Sequence, residues 1–361
     1  MTPALINLLN QTGTLPTRER AQAADLEFRR RWTLFLTGVE RYRHHPYQRD
    51  LADPPAIWQE GSARLLDFGP ADGRPALFVP SLVNRSYILD LSPRRSLMRW
   101  LARNGVRPLL IDWGTPGSLE RSLTLTDVIA GRLTRATQAA ADLGDGQVPV
   151  VGYCMGGLLV AGLATTRPDL VPRAVFLATP WDFHHGDPAN GLRVTALGRA
   201  FAPAIALTGG LPVDALQTLF ATVDPLSAIR KFSALARWPA DGEKAHAFVA
   251  LEDWLNDGVA LPQAIAWDCL EGWYGQNTTA RRQWRVSGLP VDPAKVRVPS
   301  LHIIPAQDRI VPPASARALA DAMPEATTLT PTLGHIGMVV GGAAPSAVWA
   351  PLRDWLLMRG A

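Results

Sequence analysis

The run Val148-Pro149-Val150-Val151-Gly152-Tyr153-Cys154-Met155-Gly156-Gly157, continuing into the apolar stretch Leu158 to Ala164, constrains this chain more than any other segment. Val148 to Val151 is short and apolar, as a buried strand requires, while Leu158 to Ala164 suits the start of a buried helix. Joining the two through Gly-x-Cys-x-Gly demands a turn so sharp that only glycine fits two residues either side of the apex. Cys154 is then left strained and exposed. The helix N-terminus beneath it carries partial positive charge, which favours a thiolate and a developing oxyanion. The competing reading is a glycine-flanked core cysteine in a dinucleotide-type turn, and the partners found later in the chain weigh against it.

A nucleophile on such a turn needs an acid and then a histidine, each on the loop that follows a strand. After the apolar run Leu301 to Ile304 comes Pro305-Ala306-Gln307-Asp308-Arg309-Ile310-Val311-Pro312, in which Asp308 turns off the strand end. After Thr327 to Leu329 comes Leu333-Gly334-His335-Ile336-Gly337, a glycine-framed histidine. His335 is expected to take the proton of Cys154, while Asp308 fixes the imidazole tautomer; Asp182 is the fallback acid. The oxyanion needs two backbone N–H donors, expected from Met155 and from Leu82 or Val83 in the loop Pro80 to Asn84.

Other polar residues read as ordinary. His302 lies within an apolar strand and is expected in the core, and Cys269 reads as a small buried apolar side chain. His44-His45 and His184-His185 lack an accompanying HExxH or paired carboxylates, so no metal is expected. No phosphate-binding glycine pattern follows a suitable strand, so no cofactor is expected either.

Short apolar runs recur at Arg64 to Phe68, Ala76 to Val79, Pro108 to Ile111, Val148 to Val151, Ala174 to Leu177, Leu301 to Ile304 and Thr327 to Leu329. Helical stretches such as Ser96 to Asn104, Thr126 to Leu143 and Ser315 to Met323 lie between several of them, which predicts a mostly parallel, doubly wound sheet. With the ordered triad, this pattern resembles the α/β-hydrolase fold. Residues 184–297 break the rhythm with mixed helices, prolines and tryptophans, and are expected to form an inserted cap over the strand ends, where ligands bind in open α/β sheets. The expected division is a helical segment over 1–60, core over 61–183, cap over 184–297 and core again over 298–361. Leu15 to Tyr47 should be an amphipathic helix, with Arg18, Arg20, Arg29, Arg30, Arg31, Arg41 and Arg43 forming a solvated face.

A formal charge of +4 on 361 residues mildly favours anionic partners such as a nucleotide-bearing thioester or an anionic lipid surface, and is too weak to imply nucleic acid. Two cysteines give no disulfide framework, and a cysteine nucleophile needs a reducing compartment, so a cytoplasmic location is expected. Met1 to Asn10 does not read as a signal peptide. No stretch reaches the roughly 18 apolar residues of a spanning helix.

Several segments together resemble the polyhydroxyalkanoate synthases, which polymerise 3-hydroxyacyl-CoA thioesters. They are Asn84 to Leu91 with Ser96-Leu97, Ile111-Asp112-Trp113-Gly114-Thr115-Pro116-Gly117, the Gly-Tyr-Cys-Met-Gly-Gly turn, and Ala178 to Phe183. They continue through Trp254 to Gly258, Gly272-Trp273-Tyr274, Asp308 and Gly334 to Gly337. The resemblance implies a Cys154, Asp308, His335 triad that transfers acyl groups, since cysteine stands where most such hydrolases carry serine. It implies a CoA thioester as substrate and a growing polyester chain as product, with location at the polyester granule surface. Asn84, Tyr87, Trp181, Trp254 and Trp273 become substrate-binding candidates, the tryptophans as lining for an acyl or pantetheine channel. Ala200 to Ala206 is a candidate surface for polymer or a second protomer. Many members carry histidine after the triad aspartate, where this chain has Arg309. Its short N-terminal part is similar to that of the synthases that act with a second subunit, so a homodimer and such a subunit are both candidate partners. The alternatives are a cysteine thioesterase or polyester depolymerase, with water as acceptor, and a catalytically silent granule-associated relative.

Overall fold

The computed structural model describes residues 17–185 and 188–358. Leu15, at the expected start of the N-terminal helix, and Met1 to Asn10 lie outside them.

Eight strands form the central sheet: β1 (Ala56–Glu60), β2 (Ala63–Asp67), β3 (Arg74–Val79), β4 (Val106–Asp112), β5 (Val150–Tyr153), β6 (Ala174–Leu177), β7 (Ser300–Ile303) and β8 (Ala326–Leu329). Their spatial order is β1-β2-β4-β3-β5-β6-β7-β8. From β4 to β8 every neighbouring pair is parallel, while β2 runs antiparallel to both β1 and β4. Burial follows position in that order. Every residue of β5 and β6 is buried, the pattern of strands covered on both faces. The two edges are β1, largely exposed, and β8, whose Thr327 and Thr328 face solvent. Across the antiparallel pair of β2 and β4, Arg64 lies opposite Asp112 and bonds it at 2.6 Å, which supports the register.

The apolar runs in the sequence all become strands, with boundaries shifted by two residues or fewer, whereas β1 carries no such run and was not expected. Its Ala-Ile-Trp-Gln-Glu is an exposed edge with little apolar alternation, and residues 56–60 therefore join the sheet instead of continuing a helical segment. Among the described residues, that segment holds the helix α1 (Thr17–Arg43), whose Asp25–Arg29 and Glu27–Arg30/Arg31 pairs hold several of its arginines in surface salt bridges. Two compact units divide the chain. In the first, α1 packs through Phe35 and Tyr42 on Phe232 of a helix Ser227–Leu235, at ring separations of 6.1 and 5.7 Å; residues Asp224–Glu252 belong to this unit. The second holds the sheet together with residues 188–223 and 253–297. In its helix Ala202–Thr208 the buried residue is Ile205, and Leu207 is exposed. No helix among the described residues is long and apolar enough to cross a membrane.

The helix α2 (Met155–Thr166) leaves β5 directly and is buried from Met155 to Ala164, apolar all round as a helix inside a core must be. Its entry is set by two glycines. A side chain on Gly152 would collide with the backbone of Gly156 and Gly157, and one on Gly156 would collide with the carbonyl oxygens of Val79 and Pro80. The turn thus lies flat against the end of β3. Gly156→Ala should destabilise the protein by about 3 kcal/mol or more, or abolish soluble expression, because backbone on both sides must move. Gly342→Ala, where an added methyl meets open space, should stay within about 0.5 kcal/mol of wild type; chemical denaturation of both checks this.

Candidate active site

Cys154 stands between β5 and α2 with φ 55° and ψ −125°, a conformation that L-residues rarely hold. Its N–H donates to the Leu177 carbonyl at 2.8 Å, tying the turn to β6, and its own carbonyl accepts from the Gly157 N–H at 3.0 Å. The side chain is half-buried and packs beside Ile304, Val311 and Ala316.

Asp308 follows β7, and its two oxygens have separate duties. Oδ1 accepts the Ile310 and Val311 N–H groups at 2.8 and 2.9 Å, and Oδ2 pairs with His335 Nδ1 at 2.7 Å. Both residues are buried, at 6% and 7% exposure, so water does not compete for this bond. With Nδ1 taken by the carboxylate, the His335 ring lies close enough to Cys154 for the cysteine to act on its protonation. The structure therefore brings Cys154, His335 and Asp308 together in one relay. Burial opposes a charge on His335, but the Cys154 charge and the hydrogen bonds from Asp308 and Cys154 outweigh it, and the imidazole is pushed up to about 10.

Tyr153 had no assigned role in the sequence, though it sits inside the nucleophile turn. Its hydroxyl donates to the His335 carbonyl at 3.2 Å and its ring lies 5.2 Å from the imidazole. Burial, then the Cys154 and Asp308 charges, push its phenol well up, so it remains a neutral donor. The sequence signal was the aromatic beside Cys154, but which side of the strand end it faces depends on where His335 returns.

The loop after β3 is tied down from several directions. Val83 N–H donates to Ser81 Oγ at 3.3 Å, Val83 carbonyl accepts from Val259 N–H at 3.2 Å, and Asn84 bridges Gly258. Leu82 is buried, and Met155 opens α2. Tyr87 interacts with Asp257 and carries Arg49 over its ring at 5.1 Å. Trp254, Trp181 and Trp273 are each at most 5% exposed. Trp254 donates to the Arg85 carbonyl at 2.8 Å, while Trp181 and Trp273 both meet Trp284, at 6.5 and 5.5 Å. Asp182 serves Asn277 and the His184 N–H, at 2.8 and 3.0 Å, and is not the acid bonded to His335. His302 is packed on Phe176 at 4.7 Å, and burial lowers it to about 3. Burial and Asp268 push the Cys269 thiol well up. His184 and His185 turn to the Tyr274 carbonyl and Asp182, and His44 and His45 to the carbonyls of Glu40 and Ala240.

This sheet, turn and relay define the class. A family profile described as the alpha/beta hydrolase fold matches residues 77–341, and the chain belongs to that fold. The solved structure of BpoC from Mycobacterium tuberculosis superposes with a TM-score of 0.52 at 20% identity, covering 83% of this chain and 97% of that one. Within the fold, similarity runs to proteins named poly(3-hydroxyalkanoate) polymerase subunit PhaC. Those of Allochromatium vinosum and Synechocystis are 30% identical over 84% and 90% of this chain, spanning 88% and 90% of their own lengths. The Haloferax mediterranei protein is 29% identical over 84% of this chain, which spans 63% of that longer relative. The chain is a member of the PhaC polymerase family.

A raised imidazole makes stability depend on pH. The native state keeps the His335 proton between the ordinary histidine value of 6.5 and about 10, where the unfolded chain has lost it. The pair's contribution is therefore complete below about pH 6.5 and is lost as pH rises to about 10. The unfolding free energy of wild type relative to His335→Gln should fall steadily over that window in denaturant titrations; a difference that grew with pH would contradict the assignment.

Proposed function

We propose that this chain is a polyhydroxyalkanoate synthase that builds polyester from 3-hydroxyacyl-CoA, 3-hydroxybutyryl-CoA first among them, through an acyl group carried on Cys154. The observation that carries the reading is a cysteine nucleophile in a complete relay with His335 and Asp308, within a chain similar to PhaC subunits. Thiolate attack on a thioester exchanges one C–S bond for another, so the acyl enzyme forms without a large fall in free energy. Cys154 Sγ attacks the thioester carbonyl, the bond to CoA breaks, and His335 supplies the proton to the departing thiolate. A 3-hydroxyl then attacks the acyl carbon, its proton passes to His335, a C–O bond forms and Cys154 leaves as thiolate.

The oxyanion is held by the Met155 N–H and a second donor from the loop after β3. Val83 N–H already serves Ser81, so Leu82 is the better second donor. Water is the competing acceptor, and the aromatic packing of Trp181, Phe183, Trp273 and Trp284 supplies an apolar cover suited to excluding it. The relatives are named as polymerase subunits, which supports action with a second chain.

Purified protein given 3-hydroxybutyryl-CoA, alone and with candidate partner subunits, should release CoA and form insoluble polyester with little free acid. Cys154→Ala should abolish CoA release and Cys269→Ala should retain most of it. His335→Gln should be nearly inactive and Asp308→Asn slowed by roughly 100-fold or more, since the imidazole loses its carboxylate. Stoichiometric free acid without polymer would shift the reading to a thioesterase.

A further inference from the structure

β5 ends on Tyr153, the residue before the nucleophile, and this tyrosine is only 4% exposed. In the strand pair it lies opposite Leu177, whose carbonyl takes the Cys154 N–H at 2.8 Å. One stretch of β6 therefore fixes Tyr153 and Cys154 together. An apolar ring would fill this buried place as well as a phenol does. The hydroxyl has a separate explanation, because a buried polar group is kept where it has a partner.

That partner is the His335 carbonyl, at 3.2 Å, with the two rings 5.2 Å apart and inclined at 30°. The chain that follows His335 leaves this carbonyl to the tyrosine. Around the short helix Gly337–Val340, the Met338 N–H turns to the Gly334 carbonyl at 3.0 Å, and those of Val339 and Val340 turn to Ile336 at 3.0 and 3.1 Å. On its other side the histidine loop is bound by backbone to the acid loop. The Ala306 N–H donates to Pro331 and the Gln307 N–H to Leu333, both at 2.9 Å. Acid and histidine loops thus hold together as one piece. A side chain, the Tyr153 phenol, ties that piece to the nucleophile turn.

We propose that Tyr153 is a positioning residue: by holding the His335 backbone to the strand end that carries Cys154, its hydroxyl sets how close the imidazole stands to the nucleophile. Asp308 governs how the ring is turned, through Nδ1 at 2.7 Å, and Tyr153 governs where the ring's backbone sits. Tyr153 exchanges no proton, and its effect passes through His335. This role rests on His335 serving Cys154 as base, and holds for whichever acyl group the pair carries.

The test is Tyr153→Phe, which keeps the ring and removes one oxygen, made in the full chain carrying Cys269→Ala so that Cys154 is the single thiol. Alkylation by iodoacetamide reads the nucleophile without any acyl substrate, with His335 present and again in His335→Gln. With His335 present, Tyr153→Phe should slow alkylation roughly tenfold. In His335→Gln the same change should matter by less than about twofold, because a residue that acts through another has no effect once the other is gone. In CoA release from 3-hydroxybutyryl-CoA, with any partner subunit the wild type needs, kcat should fall roughly 10- to 100-fold while KM stays within about twofold. Equal slowing of alkylation in both backgrounds would overturn the proposal and mark Tyr153 as a support of the turn alone. So would alkylation and kcat that stay at the wild-type values. If His335→Gln by itself alkylated as fast as wild type, the relay would fail and this proposal with it. Alkylation as expected in all four forms, with free acid released in place of polymer, would sink the synthase reading and leave the role of Tyr153 standing.

Discussion

The backbone of Cys154, at φ 55° and ψ −125°, is held where an L-residue does not rest unaided, and everything else in the site is built on the contacts that hold it there. Those contacts are backbone against backbone. Gly156 lies against the carbonyls that end β3, Gly152 against the first turn of α2, and the Cys154 N–H is anchored on β6. Three adjacent central strands therefore meet at one residue, and a methyl group in either glycine position would separate them. The cost of the strained turn is carried by a core in which β5, β6 and most of α2 are buried.

The relay adds electrostatics to this frame. Asp308 is oriented by two backbone N–H groups of its own loop before it meets His335, so the imidazole finds a carboxylate already in position. Burial alone would strip His335 of its proton, and it is the nearby Cys154 charge and the Asp308 hydrogen bond that reverse the sign. Tyr153 then fixes the histidine's backbone from below.

Much of this was legible in the sequence because it is local. The Gly-x-Cys-x-Gly turn, the acid loop and the glycine-framed histidine each announce themselves within about eight residues, and the apolar runs fix the strands of the interior. What was not legible depends on residues far apart. β1 carries no apolar pattern because an exposed edge needs none. The tryptophans read as channel candidates, yet Trp181 and Trp273 are packed on Trp284, a contact that no local spacing encodes. The Asp182–Asn277 bond spans 95 positions, a contact that no local pattern announces. Likewise, residues 224–252 lie inside a stretch that looks uniform in sequence but pack with α1 in a separate unit.

The central claim is that Cys154 carries the acyl group. Its most direct measurement is rapid quenching of the enzyme with a saturated acyl-CoA that lacks the 3-hydroxyl and so cannot be extended, followed by peptide mass mapping. The account predicts one acyl group per chain, on Cys154, with its loss in His335→Gln. An acyl group on Cys269 or on a serine, or polymer formation from hydroxyacyl-CoA by a chain that never becomes acylated at Cys154, would contradict it.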